Sequence, residues 1–525
     1  MKLQTRYDAI VLGTHPSALL AACLLAQKEF SVLIVAPEDT FAAFQAKNGQ
    51  SFDPEPQILL GLGAESDSIC LLSQILKEIH PHSSKKKQSL SVTRSGICVA
   101  TPDRRVDFSS LKQLPSELKR EIDPEKYSRE NGLRAMDVLE PLILEFWSSY
   151  SQRLDQIQSQ GVLSHLKSDL ERYFARYPYF QREFTRWLSV QSDVIKTQVD
   201  WSLLRKNLIC QNDERSHASS SQKSLSLLWQ GLSFGLSSQC SEKSNFWDLT
   251  HLLAVAQGGQ GVRGGGSEFR KYLLEVAQEH GAHLTQKLCQ SIYVKNKQFL
   301  GVQLEDSSET IQARMGGVLG QSFHKILSWS HRLNSKKLRE FLPLGWRFTI
   351  ALTVHENGVP QHVSSRTIWQ EPLSPPLEIE VLDQSHDPRI ASQERGVYLR
   401  VVLPYEVETL RPEYLRTIGL RMIAKMQEVF PFSEQHLIKQ FPKLKEGDGL
   451  EDLKSLYSFE SLDLIPDSLL IYSPRATTLK KHIGIRSLLV ASGEVYPELG
   501  TFGWSVSAVE VVHEFKKMRQ MQNSK

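Results

Sequence analysis

Gly13, His15 and Ala18 stand at the spacing of a phosphate-binding turn, in the run Gly13-Thr14-His15-Pro16-Ser17-Ala18. In such a turn the first glycine makes a tight bend and the second lets backbone approach a pyrophosphate. The third packs helix on strand, and an acidic residue at the end of the next strand holds a ribose hydroxyl. Only Gly13 is glycine here. The imidazole of His15 either blocks the phosphate or points outward and donates a hydrogen bond to it. Ala18 is the mildest replacement of the packing glycine. Ala36 takes the acidic position, with Glu38 and Asp39 just past the strand end as possible substitutes. Losing a hydrogen bond to a charged group costs about 1.5–3 kcal/mol, or about ten- to a hundredfold in affinity.

The elements that must carry this turn are legible around it. Ala9–Leu12 is a short apolar run, and Ala18, Leu19, Ala22, Leu25 and Ala26 recur at helical spacing. Ser31–Val35 then reads as a buried parallel strand, which completes a βαβ unit.

A second glycine-rich string, Gly259–Gly264 (GQGVRG), satisfies GxGxxG literally. The spacing after it predicts a helix with Ser267 as N-cap and one face formed by Phe269, Tyr272, Leu273, Val276 and Ala277. Gly281 is its stop. The preceding HLLAVAQ is as easily helical as extended, so a structural role outweighs an independent NAD site. Farther on, an apolar strand runs into Gly493-Glu494. Pro497, Gly500, Thr501, Gly503 and a helix bearing Ser507 and Ala508 follow.

Composition excludes several classes. A net charge of +3 over 525 residues, with 40% hydrophobic and 23% charged residues, is that of a globular chain without a nucleic-acid footprint. The six cysteines lie far apart, with no CxxC and no metal-ligand spacing, which points to reduced thiols and a cytoplasmic setting. GxSxG, P-loop and HExxH motifs are absent, and His251, His283 and His355 stand away from any nucleophile motif. Asp8, Gly13, His15 and Pro16 interrupt the first apolar stretch, which therefore reads as mature protein and not as a secretory signal. Uninterrupted apolar runs are too short for a spanning helix, which leaves peripheral membrane contact open.

Three of these stretches resemble the phytoene desaturase and amine oxidase group of FAD-dependent oxidoreductases. GTHPSALLAACLLA resembles that group's GxGPxGLxAAxxLA opening, Pro16 included, and Ala42 and Ala43 fall where it carries a glycine pair. Gly301–Glu309 (GVQLEDSSE) is similar to its central hairpin, with Asp306–Ser308 as the turn. Ser487–Phe515 is similar to its GDxxxPGxGxxGAxxSGxxAA segment, with Glu494 matching the acidic residue that contacts the flavin.

The resemblance implies an α/β fold. A Rossmann-like FAD/NAD(P)-binding domain would be built from three separated segments, residues 1–65, 255–325 and 480–525. An α+β substrate domain with a mixed sheet and a helical cap would be built from residues 66–254 and 326–479. Strand-like runs RFTIALTV, GVYLRVVLP and SLLIYS supply the sheet, and residues 130–255 read mainly helical. The aromatic cluster Tyr173, Phe174, Tyr177, Tyr179, Phe180 and Phe184 is either cap core or the lining of an apolar tunnel.

Two functions follow from the resemblance. One is an FAD-dependent desaturase or dehydrogenase moving hydride from an apolar or lipidic substrate to flavin, contacted at Gly13, His15, Pro16, Ala18, Glu38, Gly493, Glu494, Gly500, Thr501 and Gly503. There, small residues would leave room for a flat ring, and helix amides would stabilise charge on reduced flavin. The other is a cofactor-less binding or scaffold protein for a lipid or a protein partner, comparable in principle to Rab GDP-dissociation inhibitors.

Overall fold

Apolar residues at nearly every position of Ala9–Leu12, Ala18–Ala26 and Val32–Val35 dictate elements buried on all sides, and the computed structural model places the first and third inside a sheet and the second as a helix packed on it. The structure describes residues 4–36, 44–45, 51–60, 71–80, 90, 92–94, 96–102, 105–107, 230–231, 234–235, 260–305, 310–321, 343–361, 363–371, 374–387, 390–444, 448–457, 462, 465–466, 469–472, 485–493, 495 and 500–524. Glu38, Asp39, Ala42, Ala43, Glu494, Pro497 and the aromatic cluster at 173–184 lie outside these residues.

In chain order the elements begin with β1 (Arg6–Leu12), α1 (Pro16–Gln27), β2 (Val32–Val35), β3 (Phe44–Gln45), β4 (Ser51–Phe52) and β5 (Ile58–Leu60). Next come α2 (Leu71–Ile79), β6 (Val92–Arg94), β7 (Ile97–Ala100), β8 (Arg105–Asp107), β9 (Gln260–Arg263), α3 (Gly265–Glu279) and β10 (His283–Thr285). They continue with β11 (Cys289–Lys295), β12 (Gln298–Leu304), β13 (Thr310–Leu319), β14 (Gly345–His355), β15 (Arg366–Trp369), β16 (Leu377–Leu382) and β17 (Glu394–Pro404). The last are α4 (Pro412–Val429), β18 (Leu437–Phe441), α5 (Asp448–Tyr457), β19 (Leu470–Ile471), β20 (Leu488–Val490) and α6 (Gly500–Asn523).

One sheet runs in the order β10-β2-β1-β13-β12-β11, with β20 also paired to β13. β10, β2, β1, β13 and β20 are parallel, whereas β11, β12 and the first half of β13 form an antiparallel meander. β13 records both roles in its sequence. Thr310–Arg314 alternates exposed and buried as a one-sided strand does, and Met315–Leu319 is buried throughout between β1 and β20. α1 lies on one face of this sheet. Its Leu19 and Leu25 share a core with Phe269 and Leu273 of α3 and with Val512 and Phe515 of α6.

The second sheet runs β18-β14-β17-β16-β15-β7-β8, with β19 on β14, and it mixes a parallel β15–β7 pair with antiparallel neighbours. Strand alternation gives it two unlike faces. Trp346, Phe348, Ile350, Ile379, Leu399 and Val401 form an apolar core with Leu415, Met422 and Met426 of α4 and Leu453 of α5. The opposite face carries Arg347, Thr349, Arg366, Glu378, Glu380 and Arg400, all buried. A third, small sheet of β5, β9 and β6 stands at the start of α3. Among the described residues, no helix is long and apolar enough to cross a membrane.

Candidate functional site

The carboxyl ends of parallel strands are where an α/β sheet opens a ligand crevice. Here the end of β1 gives Gly13-Thr14-His15, the end of β13 gives Gly320, and the end of β20 leads to Gly493. Gly13 has φ +95°, and a Cβ on it would collide with the Gly320 carbonyl at 2.6 Å, so glycine is required by both backbone and neighbour. Its amide donates to the Val35 carbonyl at 3.0 Å, closing the turn against β2.

The packing glycine missing from α1 is found across the contact. A Cβ on Gly320 would run into the Ala18 methyl, so the strand end supplies the space that a helix glycine would have given. Ala18 is therefore compatible with close helix–strand packing. Pro16 occupies the first helical position, where its missing N–H costs nothing.

His15 is the N-cap of α1. The Ser17 amide, at 3.3 Å, and the Ser17 hydroxyl, at 3.0 Å, both donate to His15 Nδ1, which places the ring proton on Nε2. The His15 amide donates to the Gly320 carbonyl at 3.1 Å, and the Ala18 and Leu19 amides donate to the His15 carbonyl at 2.9 and 3.1 Å. The ring meets Trp504 of α6 edge to face, with centroids 5.5 Å apart, and a Cβ on Gly493 would lie 3.3 Å from Nε2.

A pyrophosphate needs helix N-terminal amides that are free to point at it. At α1, Pro16 has none, and the amides of His15, Ser17 and Ala18 donate within the protein. At the ribose position Ala36 is buried, and its amide donates to the Thr285 carbonyl at 2.9 Å. These residues do not fit the diphosphate of FAD or NAD at this turn. Gly500 (φ +54°), Thr501 and Gly503 begin α6, with Thr501 and Gly503 buried.

The literal GxGxxG leads to a different occupant. α3 begins at Gly265 behind a left-handed Gly264 cap (φ +80°), three residues earlier than an N-cap at Ser267 would give. Ser267 instead donates its hydroxyl to Asp53 Oδ2 at 2.6 Å. Gly265 and Gly266 admit the chain at 53–57: a Cβ on the first would strike the Pro56 carbonyl, and one on the second the Glu55 carboxylate. Arg270 clasps Glu55 with two bonds, of 2.9 and 2.6 Å. The protein's own carboxylates therefore fill the place at this helix start where an added anion would lie. Glu55 lies more than two hundred residues upstream of α3, so local spacing carried no sign of it.

Residues 53–58 also bind the polar face of the second sheet. Glu380 accepts from the amides of Gln57, at 2.9 Å, and Ile58, at 3.0 Å, and pairs with Arg400, at 2.8 Å, and Arg366, at 3.3 Å. Burial alone would raise its carboxyl pKa, but Arg400, Arg366 and the two amides hold it below the ordinary range. Arg400 donates to the carbonyls of Pro54, at 3.2 Å, and Glu55, at 2.8 Å. Thr349 adds a bond to Pro54 at 2.8 Å, and Arg366 one to Ile58 at 2.7 Å. The sequence reading missed this ladder, although alternating charges inside RFTIALTV, LEIEVL and GVYLRVVLP were its visible trace.

Cys23, Cys98 and Cys289 are buried free thiols, and burial pushes Cys289 up to about 12. No group of His, Cys, Asp or Glu that could hold a metal occurs among the described residues.

No family model matches the chain, and no curated protein matches it in sequence. Among solved structures it is similar to an oxidoreductase from Methanosarcina mazei, with 13% identity, a TM-score of 0.54, and coverage of 96% of this chain and 99% of that one. It is also similar to a protein from Pyrococcus furiosus, with 11% identity, a TM-score of 0.50 and 97% coverage of each chain. A putrescine oxidase variant redesigned in cofactor binding aligns at 12% identity and a TM-score of 0.49, covering 99% of each. At these identities the likeness is one of fold, and the chain has a mixed α/β, Rossmann-like fold.

Proposed function

We propose that this chain is a binding or scaffold protein on a flavoprotein fold, working without a dinucleotide and taking a lipidic ligand or a protein partner. The observation that carries this reading is His15, whose ring and carbonyl take up the N-terminal amides of α1 that a diphosphate would need. Ala36 at the ribose position supports it. The purified protein is expected to be colourless and to gain no thermal stability from excess FAD. A true ligand at a hundred times its Kd would add about 2.7 kcal/mol. His15→Gly frees the Ser17 amide and is the variant in which an FAD-dependent gain should first appear. Near-stoichiometric flavin in the wild-type protein would overturn the reading.

A second reading rests on the small-residue start of α6, Gly500, Thr501 and Gly503. It is an FAD-dependent oxidoreductase of the phytoene desaturase and amine oxidase group, oxidising an apolar substrate. A flavin spectrum in the purified protein would establish it.

A further inference from the structure

Residues 53–58 are held from two sides, by α3 and by the polar face of the second sheet, and the two carboxylates at their start are unequally provided for. Arg270 pairs directly with Glu55 through both terminal nitrogens and reaches Asp53 only by way of Ser267, whose Oγ accepts from Arg270 at 3.2 Å. Asp53 receives the Ser267 hydroxyl at 2.6 Å and the Glu55 amide at 2.9 Å, with the Glu55 carboxylate as its like-charged neighbour. We propose that residues 53–58 are a proton-operated strap, in which uptake of one proton by Asp53 tightens the closure between α3 and the second sheet.

The groups facing the strap among the described residues are few enough to name. α3 contributes Ser267 and Arg270. The strap itself contributes Glu55 and Gln57, whose side-chain amide donates to the carbonyls of Asp53, at 3.2 Å, and Glu55, at 2.9 Å. The sheet contributes Arg347, Thr349, Arg366, Glu378, Glu380 and Arg400, of which Arg400, Thr349 and Arg366 reach the strap carbonyls and Glu380 its amides. Glu380 is already paired with Arg400 and Arg366, and Glu55 with Arg270, so Asp53 is the carboxylate that a proton most relieves. Burial, followed by the charge of Glu55, pushes Asp53 up to about 6.

The sign follows directly. Asp53 holds its proton more tightly in the folded chain than in the unfolded chain, where the ordinary value is 3.8. Its contribution to stability is therefore complete below about 4 and is lost as pH rises through about 6. The proton comes from solvent and goes to a carboxylate oxygen of Asp53, leaving that carboxyl neutral beside the charged Glu55. This inference does not depend on whether a dinucleotide binds.

Hydrogen exchange of the full chain tests it at the Gln57 and Ile58 amides, corrected for intrinsic rates, between pH 7.5 and 5.5. Protection of these amides should rise on acidification in the wild type. It should already be high, and flat with pH, in Asp53→Asn. Ser267→Ala removes a donor to the charged form and should move the midpoint to higher pH, a readout that stands even where Asp53→Asn fails to fold. Wild-type protection that is flat with pH would overturn the proposal. So would an equal rise in Asp53→Asn, or an unmoved midpoint in Ser267→Ala.

Discussion

Glu380→Gln preserves shape and removes one acceptor from the most densely paired carboxylate of the ladder. Oε1 accepts from the Ile58 amide and Arg366, and Oε2 from the Gln57 amide and Arg400. Whichever oxygen becomes nitrogen, one backbone amide and one guanidinium face a donor in a site with no exposure. A buried amide without an acceptor costs about 1–3 kcal/mol, and removing one partner of a buried ion pair costs about 3–5 kcal/mol. The two share a site and do not add fully, so the expected loss is about 3–5 kcal/mol. In a chain of this size that lowers Tm by roughly 6–10 °C, at about 2 °C per kcal/mol. Calorimetry at neutral pH is the assay. A fall of less than about 2 °C would refute the view that the ladder, and not the apolar face alone, holds the second sheet to the strap. The pH dependence has the opposite sign to that of Asp53. Glu380 sits below its usual 4.5 when folded, so its contribution is present above that value and disappears as pH falls through the lowered one.

Other outcomes are equally specific. His15→Ala removes an N-cap acceptor and an edge-to-face contact with Trp504, and should destabilise by about 1–2 kcal/mol in urea titrations. Gly320→Ala should cost about 1–3 kcal/mol by overpacking against Ala18. Adding Ala18→Gly should return part of that loss, and a double-mutant cycle without coupling would refute the direct contact. Gly265→Ala places a Cβ against the Pro56 carbonyl at φ +63° and should loosen the strap, seen as faster exchange at Gln57 and Ile58.

The βαβ opening was legible because its signal is local. Apolar residues at every position of Ala18–Ala26 in α1 announce burial, and Val32–Val35 can hardly be anything but an interior strand. Gly281, with φ +91°, ends α3 where its sequence implies. What the sequence withheld lies in partners far apart along the chain. Gly320 answers Ala18, Glu55 answers the glycines before α3, and Trp504 meets His15, none of them within one motif window. The role of His15 stayed open for the same reason, since one rotation about χ1 separates a phosphate contact from a cap.

The placement of β13 between β1 and β20 has a consequence for synthesis. β1 and α1 leave the ribosome roughly 300 residues before the strand that flanks them, a delay of about 15–60 s at ~5–20 residues per second. Through that interval a helix with no polar face must wait without its sheet. The nascent chain therefore exposes an apolar helix for as long as β13 is still to be made. Synonymous changes that slow translation between the two strands should lower soluble yield without altering a single contact of the finished fold.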